Sequence, residues 1–587
     1  MASRNSSQVS LTGRTVTPGP EKDDSDWKPD WRVKCTFAII ALLNFVTAVD
    51  ATSISVSLPT ISNELGGTAT EAFWAGTSFL LASCVFQPIF SLASDIFGRK
   101  YVLLLAVSAF SLGSILAAVS HGFNLLLVGR CIQGTGGGGI LALTEILITD
   151  MVPLRQRGKW FSIKFGASAI GTVTGPLIGG AFTQSSASWR WIFWFNLPFC
   201  GLGLILIPIL LNLEKTPDCS LRHSLSKVDY FGCFLFVASL TSFLIPITWG
   251  GIMYSWSSWH TLVPLILGLA GLLAFAIYEA FIPAQPLINL NVFNNVTMVL
   301  CYFAIFLHGL ILWAIVYYIP LYYEGALGYS PIIAGVAVFP ECLTVAPVSI
   351  VTSIMVSKLG DYRWALWAGW PITTAGMGIL CLLTASSTIP QWIFINLAAG
   401  VGCGMLFPSV QLAVQAAANN DFLSMAVTMT AFFRVLGQSV GVAVGGVVFQ
   451  NRIQMQFGNH PELGSEVLKY AQDASSLVEY IKALPVGSAS RILIQSLYAK
   501  SLTTVWAVMC GIAGVGLLSS LFVKKYTLNR SFTSKQGGVK GDVESVTTKG
   551  SIMSKQWFKT EAVETKDTLE FVGVGGPWTG WPHGNIE

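Results

Sequence analysis

Charge is what this chain has least of. Only 11% of its 587 residues are Asp, Glu, Lys or Arg, while 53% are hydrophobic; soluble globular domains carry about 25% charge. That shortage excludes an ordinary soluble domain. The net charge of +4 is small and scattered, so no nucleic-acid partner is expected. No Gly-x-x-x-x-Gly-Lys-Ser/Thr occurs, so the chain holds no P-loop of its own for ATP. Cys-x-x-Cys is missing too, and the 11 cysteines sit mostly within apolar runs, as small buried hydrophobes do. Histidine-rich tracts, nucleophile-and-base sets and metal-ligand clusters are lacking, which argues against an enzyme, a metal centre or a cofactor. The first apolar run starts near Cys35, after some thirty polar residues, a poor pattern for a cleavable signal peptide.

What the chain does have is apolar runs of about 20 residues, the length that crosses a bilayer as a helix. The runs predict an all-α polytopic protein with fourteen spans, near 36–60, 72–93, 100–120, 124–149, 160–183, 191–213, 229–250, 261–281, 297–319, 331–356, 364–385, 391–413, 424–449 and 502–523. The polar ends, 1–34 and 524–587, predict disordered tails. Between the last two spans, 451–501 carries Leu477, Tyr480, Ile481 and Leu484 at helical spacing, which predicts an amphipathic helix lying on the membrane surface. Arg99, Lys100, Arg155, Arg157, Lys159, Lys215, Arg222, Lys227, Lys358 and Arg363 all fall on one side of this layout, and the opposite short loops hold little beyond Arg190. The positive-inside rule places the basic side, and both tails, in the cytoplasm. Ser94–Lys100 and Ser357–Arg363 each set an acid, a glycine and a base at such a turn, a faint repeat of the kind secondary transporters show.

The stretch from Leu125 to Gly180 holds polar residues inside spans. Arg130 would cost roughly 2.5 kcal/mol or more at the bilayer centre, so it faces protein. Counting about 1.5 Å per residue from each span end, Asp50 and Arg130 come to one depth in a core about 30 Å thick. Pairing lowers an acid's pKa and loss of the partner raises it. Asp50 is therefore read as the coupling-proton carrier, tuned by Arg130; a static buried ion pair is the alternative. Glu145, nearer the cytoplasmic end, is either a second proton site or a partly hydrated helix-end acid. The glycine run Gly134–Gly139 lies mid-span without a preceding strand, which favours close helix packing over a dinucleotide loop. His308, Glu341 and Arg434 fall near the midplane, the usual depth of a substrate site, and Gln133 joins them as a cavity candidate. Glu341 would prefer cationic cargo or bridge to Arg434. Trp313 and Tyr317, one turn apart, would line the cavity or anchor at the interface.

Five stretches in chain order carry a family likeness. Ser91–Lys100 is similar to a known loop signature between spans two and three, with Ser91 in place of its usual first glycine. Arg130-Cys131-Ile132-Gln133-Gly134 matches a fourth-span signature, and Gly171 through Gly180 an antiporter signature of span five. Trp189–Phe193 with Asn196-Leu197-Pro198, and Asp50 with Leu58–Ile61, complete the set. The chain resembles the major facilitator superfamily, within it the fungal fourteen-span drug:proton antiporters. The resemblance implies two six-helix bundles (35–213 and 297–523) around an inserted helix pair (214–296). It implies alternating access, and proton-driven export of small hydrophobic or cationic compounds such as toxins, drugs or secondary metabolites. A monomer in the plasma membrane goes with it, the vacuolar membrane being the alternative. It further implies that Asp95, Gly98, Arg99, Lys100 and Asp150 latch the halves in an outward-open state, with Lys358, Asp361 and Arg363 as a weaker counterpart. Gly171, Gly175, Pro176, Gly179 and Gly180 would give a kinked, close-packed helix. Two rivals remain: proton-coupled uptake of a siderophore or nutrient, and a non-transporting sensor, against which the short tails speak.

Overall fold

Backbone polar groups in a bilayer must be satisfied inside the protein, which leaves helices as the simple solution for apolar runs of this length. A computed structural model describes residues 29–66, 69–184, 188–211, 213, 225–250, 254–283, 285–460, 463 and 474–528; most of both expected tails lies outside these. The helices are α1 (Trp31–Leu65), α2 (Ala69–Phe97), α3 (Arg99–Ala118), α4 (Phe123–Met151), α5 (Leu154–Gln184) and α6, in two pieces (Trp191–Trp194 and Asn196–Leu210). Then come α7 (Tyr230–Trp249), α8 (Trp259–Phe281), α9 (Val296–Gly325), α10 (Pro331–Ala337 and Phe339–Leu359), α11 (Arg363–Leu380) and α12 (Ile389–Ala417). The last are α13 (Leu423–Gly458), α14 (Ala474–Ala483) and α15 (Ala489–Ser520). Among the described residues, thirteen helices are long and apolar enough to span a membrane. The run expected at 364–385 is the exception: α11 is helical, but Arg363, Pro371, Thr373 and Thr374 dilute its apolar character.

Helices α1–α6 pack on one another as one bundle, and α9–α13 with α15 as a second. The inserted pair α7 and α8 pack together, and α7 lies against α2 and α13, one helix from each bundle. Outermost is α8, whose Ile266, Leu267, Leu273 and Ile277 are exposed, an apolar surface suited to lipid. The bundles meet where α2 and α4 touch α13 and where α5 touches α10.

Two boundaries differ from expectation in ways that matter. Helix α5 starts at Leu154 rather than near 160, which moves Lys164 from a helix end to its interior. Helix α15 starts at Ala489 rather than near 502, where the Ser488 hydroxyl caps it by accepting from the Arg491 backbone N–H. The amphipathic helix is present as α14, but the surface-lying expectation is corrected. Leu477, Val478 and Ile481 are fully buried against α9, α13 and α15. Lys482 also ties α14 to Glu324 of α9 at 2.6 Å. Protein, not lipid, covers the apolar stripe.

Candidate functional site

Glycine decides where the first bundle's polar residues point. A Cβ at Gly134 or Gly138 would overlap the α2 backbone at Phe79 or Ser83, and one at Gly136 would overlap α3 at Phe110. Helix α4 is thus wedged between both neighbours, as small residues permit. A Cβ on Gly113 would likewise meet the Gln133 backbone, so Gln133 faces α3 rather than the space between the bundles. This corrects its expected place in the cavity. Gln133 instead completes a buried cluster: its amide donates to Asp50 Oδ1 at 2.7 Å and to Ser114 at 2.8 Å, and its carbonyl accepts from Arg130 at 2.7 Å. Arg130 lies 2.5 Å from Asp50, and both are fully buried. The Arg130 Nε also donates to the Ala75 carbonyl at 3.0 Å. Asn196, just after the break in α6, donates to Asp50 Oδ1 at 2.8 Å. Asp50 thus accepts from three side chains, all with their own supports.

Between the bundles lies a central cavity of about 1130 Å³, counting its open mouth. Helices α1, α2, α4 and α5 line it from one bundle and α9, α10, α12 and α13 from the other. Asp50 and Arg130 lie outside that lining. The walls are mostly apolar, including Phe79, Phe165, Trp313 and Phe407, with Glu145, Lys164, Glu341 and Arg434 as their charged members. Lys164 donates to Glu145 Oε1 at 2.7 Å. Glu145 Oε2 accepts from Gln411 of α12 at 3.1 Å and Thr430 of α13 at 3.3 Å, joining the bundles at the cavity wall. One hydrogen bond from Arg434 reaches the Gln411 carbonyl at 3.1 Å. Its guanidinium lies over Phe407 and Phe165, 4.1 and 5.0 Å from the ring centres, where aromatic faces favour a cation.

Glu341 and Arg434 do line the cavity, but they form no bridge. Among the described residues, both Glu341 oxygens, and Arg434 Nε and Nη1, lack hydrogen-bond partners. His308 is set back from the cavity: its Nε2 lies 3.1 Å from the Cys403 carbonyl, and its ring meets Phe407 edge-on. Phe407 stands where the histidine was expected. Trp313 lines the cavity, with Val316 rather than Tyr317 continuing that face; Tyr317 packs against Tyr318 instead.

One end of the assembly, marked by Arg99, is held shut by polar contacts. Arg99 pairs with Asp95 at 2.5 Å and Asp150 at 3.1 Å, and donates across to Ser424 of α13 at 2.9 Å. Ser91 accepts from Thr428 at 2.7 Å, Arg157 donates to Gln415 at 3.4 Å, and Ser162 lies 2.5 Å from Ser353. Within the cluster of Asp95, Arg99 and Asp150, it is Arg99 rather than the exposed Asp95 that reaches the other bundle. Gly98 takes a φ of 93° at the turn, a conformation that suits glycine. Lys100 donates to the Pro208 carbonyl in its own bundle at 2.6 Å. The counterpart trio does not reach the first bundle. Asp361 pairs with Lys525 at 2.7 Å, Arg363 lies over Trp367, and Lys358 is exposed. Partial burial pushes Asp361 up, but Lys525 and the Arg363 backbone N–H outweigh it and hold the carboxyl below its ordinary range.

The α5 glycines divide by what they touch. Added Cβ atoms at Gly171, Gly175 and Gly179 would overlap α1 at Phe45, Val49 with Thr52, and Ser53. Gly180 has 3.8 Å of room on its side, facing Ile332 of α10 and Val56, so it is not part of the close approach. Pro176 sits inside the helix on the side near Gly335 of α10.

Sequence reasoning missed Lys164, Gln411 and Asn196 as site residues. Lys164 carried a signal, since it follows a basic loop, but the assumed helix start hid its depth. Asn196 stood inside a quoted signature without a role attached.

Known proteins are similar to this chain in sequence and in fold. The sequence model of the Major Facilitator Superfamily matches residues 40–445. The chain is 47% identical over 522 residues to "MFS transporter L2" of Phoma sp., covering 89% of this chain and 86% of that one. It is 34% identical to "Efflux pump FUS6" of Gibberella moniliformis, covering 89% and 94%. The human organic anion transporter MFSD10 (TETRAN) has a similar fold, with a TM-score of 0.52 at 14% identity over 84% of this chain and all of that one. Matched along most of its length by family model, relatives and helical frame alike, this chain belongs to the major facilitator superfamily: it is a multi-pass membrane transporter, not an enzyme.

Proposed function

We propose that the chain is a proton-driven exporter of small, mostly apolar molecules, working by alternating access as a monomer. The observation that carries this reading is the separation of two polar sites. Asp50 and Arg130 form a sealed pair within the first bundle, while the cavity between the bundles is left for cargo. Asp50 takes up the coupling proton when motion of α1 against α4 loosens its contact with Arg130, and Glu145 with Lys164 is a second proton candidate on the cavity wall. The names of the fungal relatives support export. The basic loops support an orientation with the Arg99 end and both termini in the cytoplasm. On that assignment the cytoplasmic side is the closed one, and opening it requires Arg99 to leave Ser424. The plasma membrane is the favoured site, since export there removes cargo from the cell.

The test is dye content in yeast lacking its own pumps. Cells with the intact protein are expected to hold less of an apolar fluorescent dye than cells without it. A protonophore and Asp50→Asn, at equal protein level, should each abolish the difference. Higher dye content would mean uptake, and efflux that survives both treatments would sink proton coupling.

A further inference from the structure

We infer that the cavity takes an apolar molecule carrying a carboxylate or similar acidic group, and that Arg434 is the residue that selects it. This deepens the export reading and rests on it for the cavity's being the cargo site. A cationic cargo would be expected from Glu341 alone. The cavity, however, also holds Lys164 and Arg434 against a single further acid, Glu145. Glu145 is already engaged by Lys164, Gln411 and Thr430. Arg434, Lys164 and Glu145 lie within electrostatic reach of one another, so with its one acid neutralised this part of the wall is left one positive charge in excess.

Arg434 is the group with capacity to spare. It is 6% exposed, and its Nη2 donates to Gln411. Among the described residues, Nε and Nη1 have no partner. A guanidinium presents its donors in a planar fork that fits a carboxylate. Phe165 and Phe407 lie against the guanidinium, and both line the cavity beside it. Glu341, on α10, does not cap this group, since neither of its oxygens has a hydrogen-bond partner among the described residues. The apolar remainder of the cargo would lie against Phe79, Trp313 and Val345.

The test is binding to the full chain in nanodiscs, read by saturable quenching of its tryptophan fluorescence with pyrenebutyrate, its neutral amide, and pyrenebutylamine. The carboxylate should bind about tenfold or more tighter than the amide, the value of one charge-assisted hydrogen bond, and the amine more weakly still. Arg434→Gln should remove the preference for the carboxylate. Arg434→Lys should keep part of it, because charge survives and the fork does not. Tightest binding by the amine would overturn the assignment and restore Glu341 as the selecting residue. No saturable quenching by the carboxylate would also overturn it. So would an undiminished preference in Arg434→Gln or, should that variant fail to fold, in Arg434→Lys. Binding needs no proton gradient, so loss of efflux with binding intact would count against the export reading alone.

Discussion

Asp50 and Glu341 are both carboxyls buried inside a membrane bundle, yet their surroundings are opposite. Asp50 accepts from Arg130, Gln133 and Asn196 and lies outside the cavity lining. Glu341 lines the cavity and, among the described residues, has no hydrogen-bond partner on either oxygen. The first bundle surrounds the Asp50 carboxyl with donors from three side chains. The second leaves polar capacity open, at Glu341 and at Arg434. The donors around Asp50 suit the proposed proton switch, and the unmet capacity at Glu341 and Arg434 suits the proposed cargo site.

Removing charge should therefore have opposite effects in the two bundles. Arg130→Met leaves Asp50 buried without its cation and should destabilise the protein by about 3–5 kcal/mol, seen as lost thermal stability or lost expression. Glu341→Met removes a carboxyl with unmet hydrogen bonds and should raise stability, by about 1–3 kcal/mol. Two variants of the same kind then move the melting temperature in opposite directions; a drop in both would mean that Glu341 supports the fold.

The α5 glycines sharpen the contrast between packing and open space. Gly179→Val drives a side chain into the α1 backbone at Ser53 and should cost about 1–3 kcal/mol or more. Gly180→Ala, next in sequence, points where there is room and should melt within about 0.5 kcal/mol of the parent. Equal losses would contradict a close approach to α1 at Gly179 that Gly180 does not share.

The smallest effect concerns the loop counterpart of the Arg99 cluster. The Asp361–Lys525 pair is half-exposed, so Asp361→Asn should cost only about 0.2–1 kcal/mol. The folded protein holds the Asp361 carboxyl below its ordinary range. Its contribution is thus full above the unfolded value of about 3.9 and is lost as pH falls through the lower folded value. The difference between parent and variant should be present at neutral pH and shrink in acid. A difference that grows in acid would contradict the pairing.

Depth along a helix could be read from the chain, because each residue adds a constant rise. That is why Asp50 could be matched to Arg130, and Glu341 and Arg434 to the cavity, before any contact was known. Rotation about the helix axis was far less legible. Gln133 and His308 have suitable depth but face neighbouring helices, Gln133 because Gly113 lets α3 come close, His308 because Phe407 stands before it. Tyr317 fails in the same way, one position off the face that Trp313 and Val316 share. Lys164 was lost to an error of one helical turn and a half in where α5 begins.

By itself, the sequence determined that this chain crosses a membrane many times as helices, which residues cannot face lipid, and at what depth they lie. Those properties follow from run length, the cost of burying charge, and constant helical rise, and all three are local. Only the tertiary structure decided which buried charges meet. It joined Asp50 to Arg130 and Lys164 to Glu145, and it left Glu341 and Arg434 apart. Such pairings depend on how far two helices approach and how each is turned. Residues from several distant segments, many of them glycines, set both together.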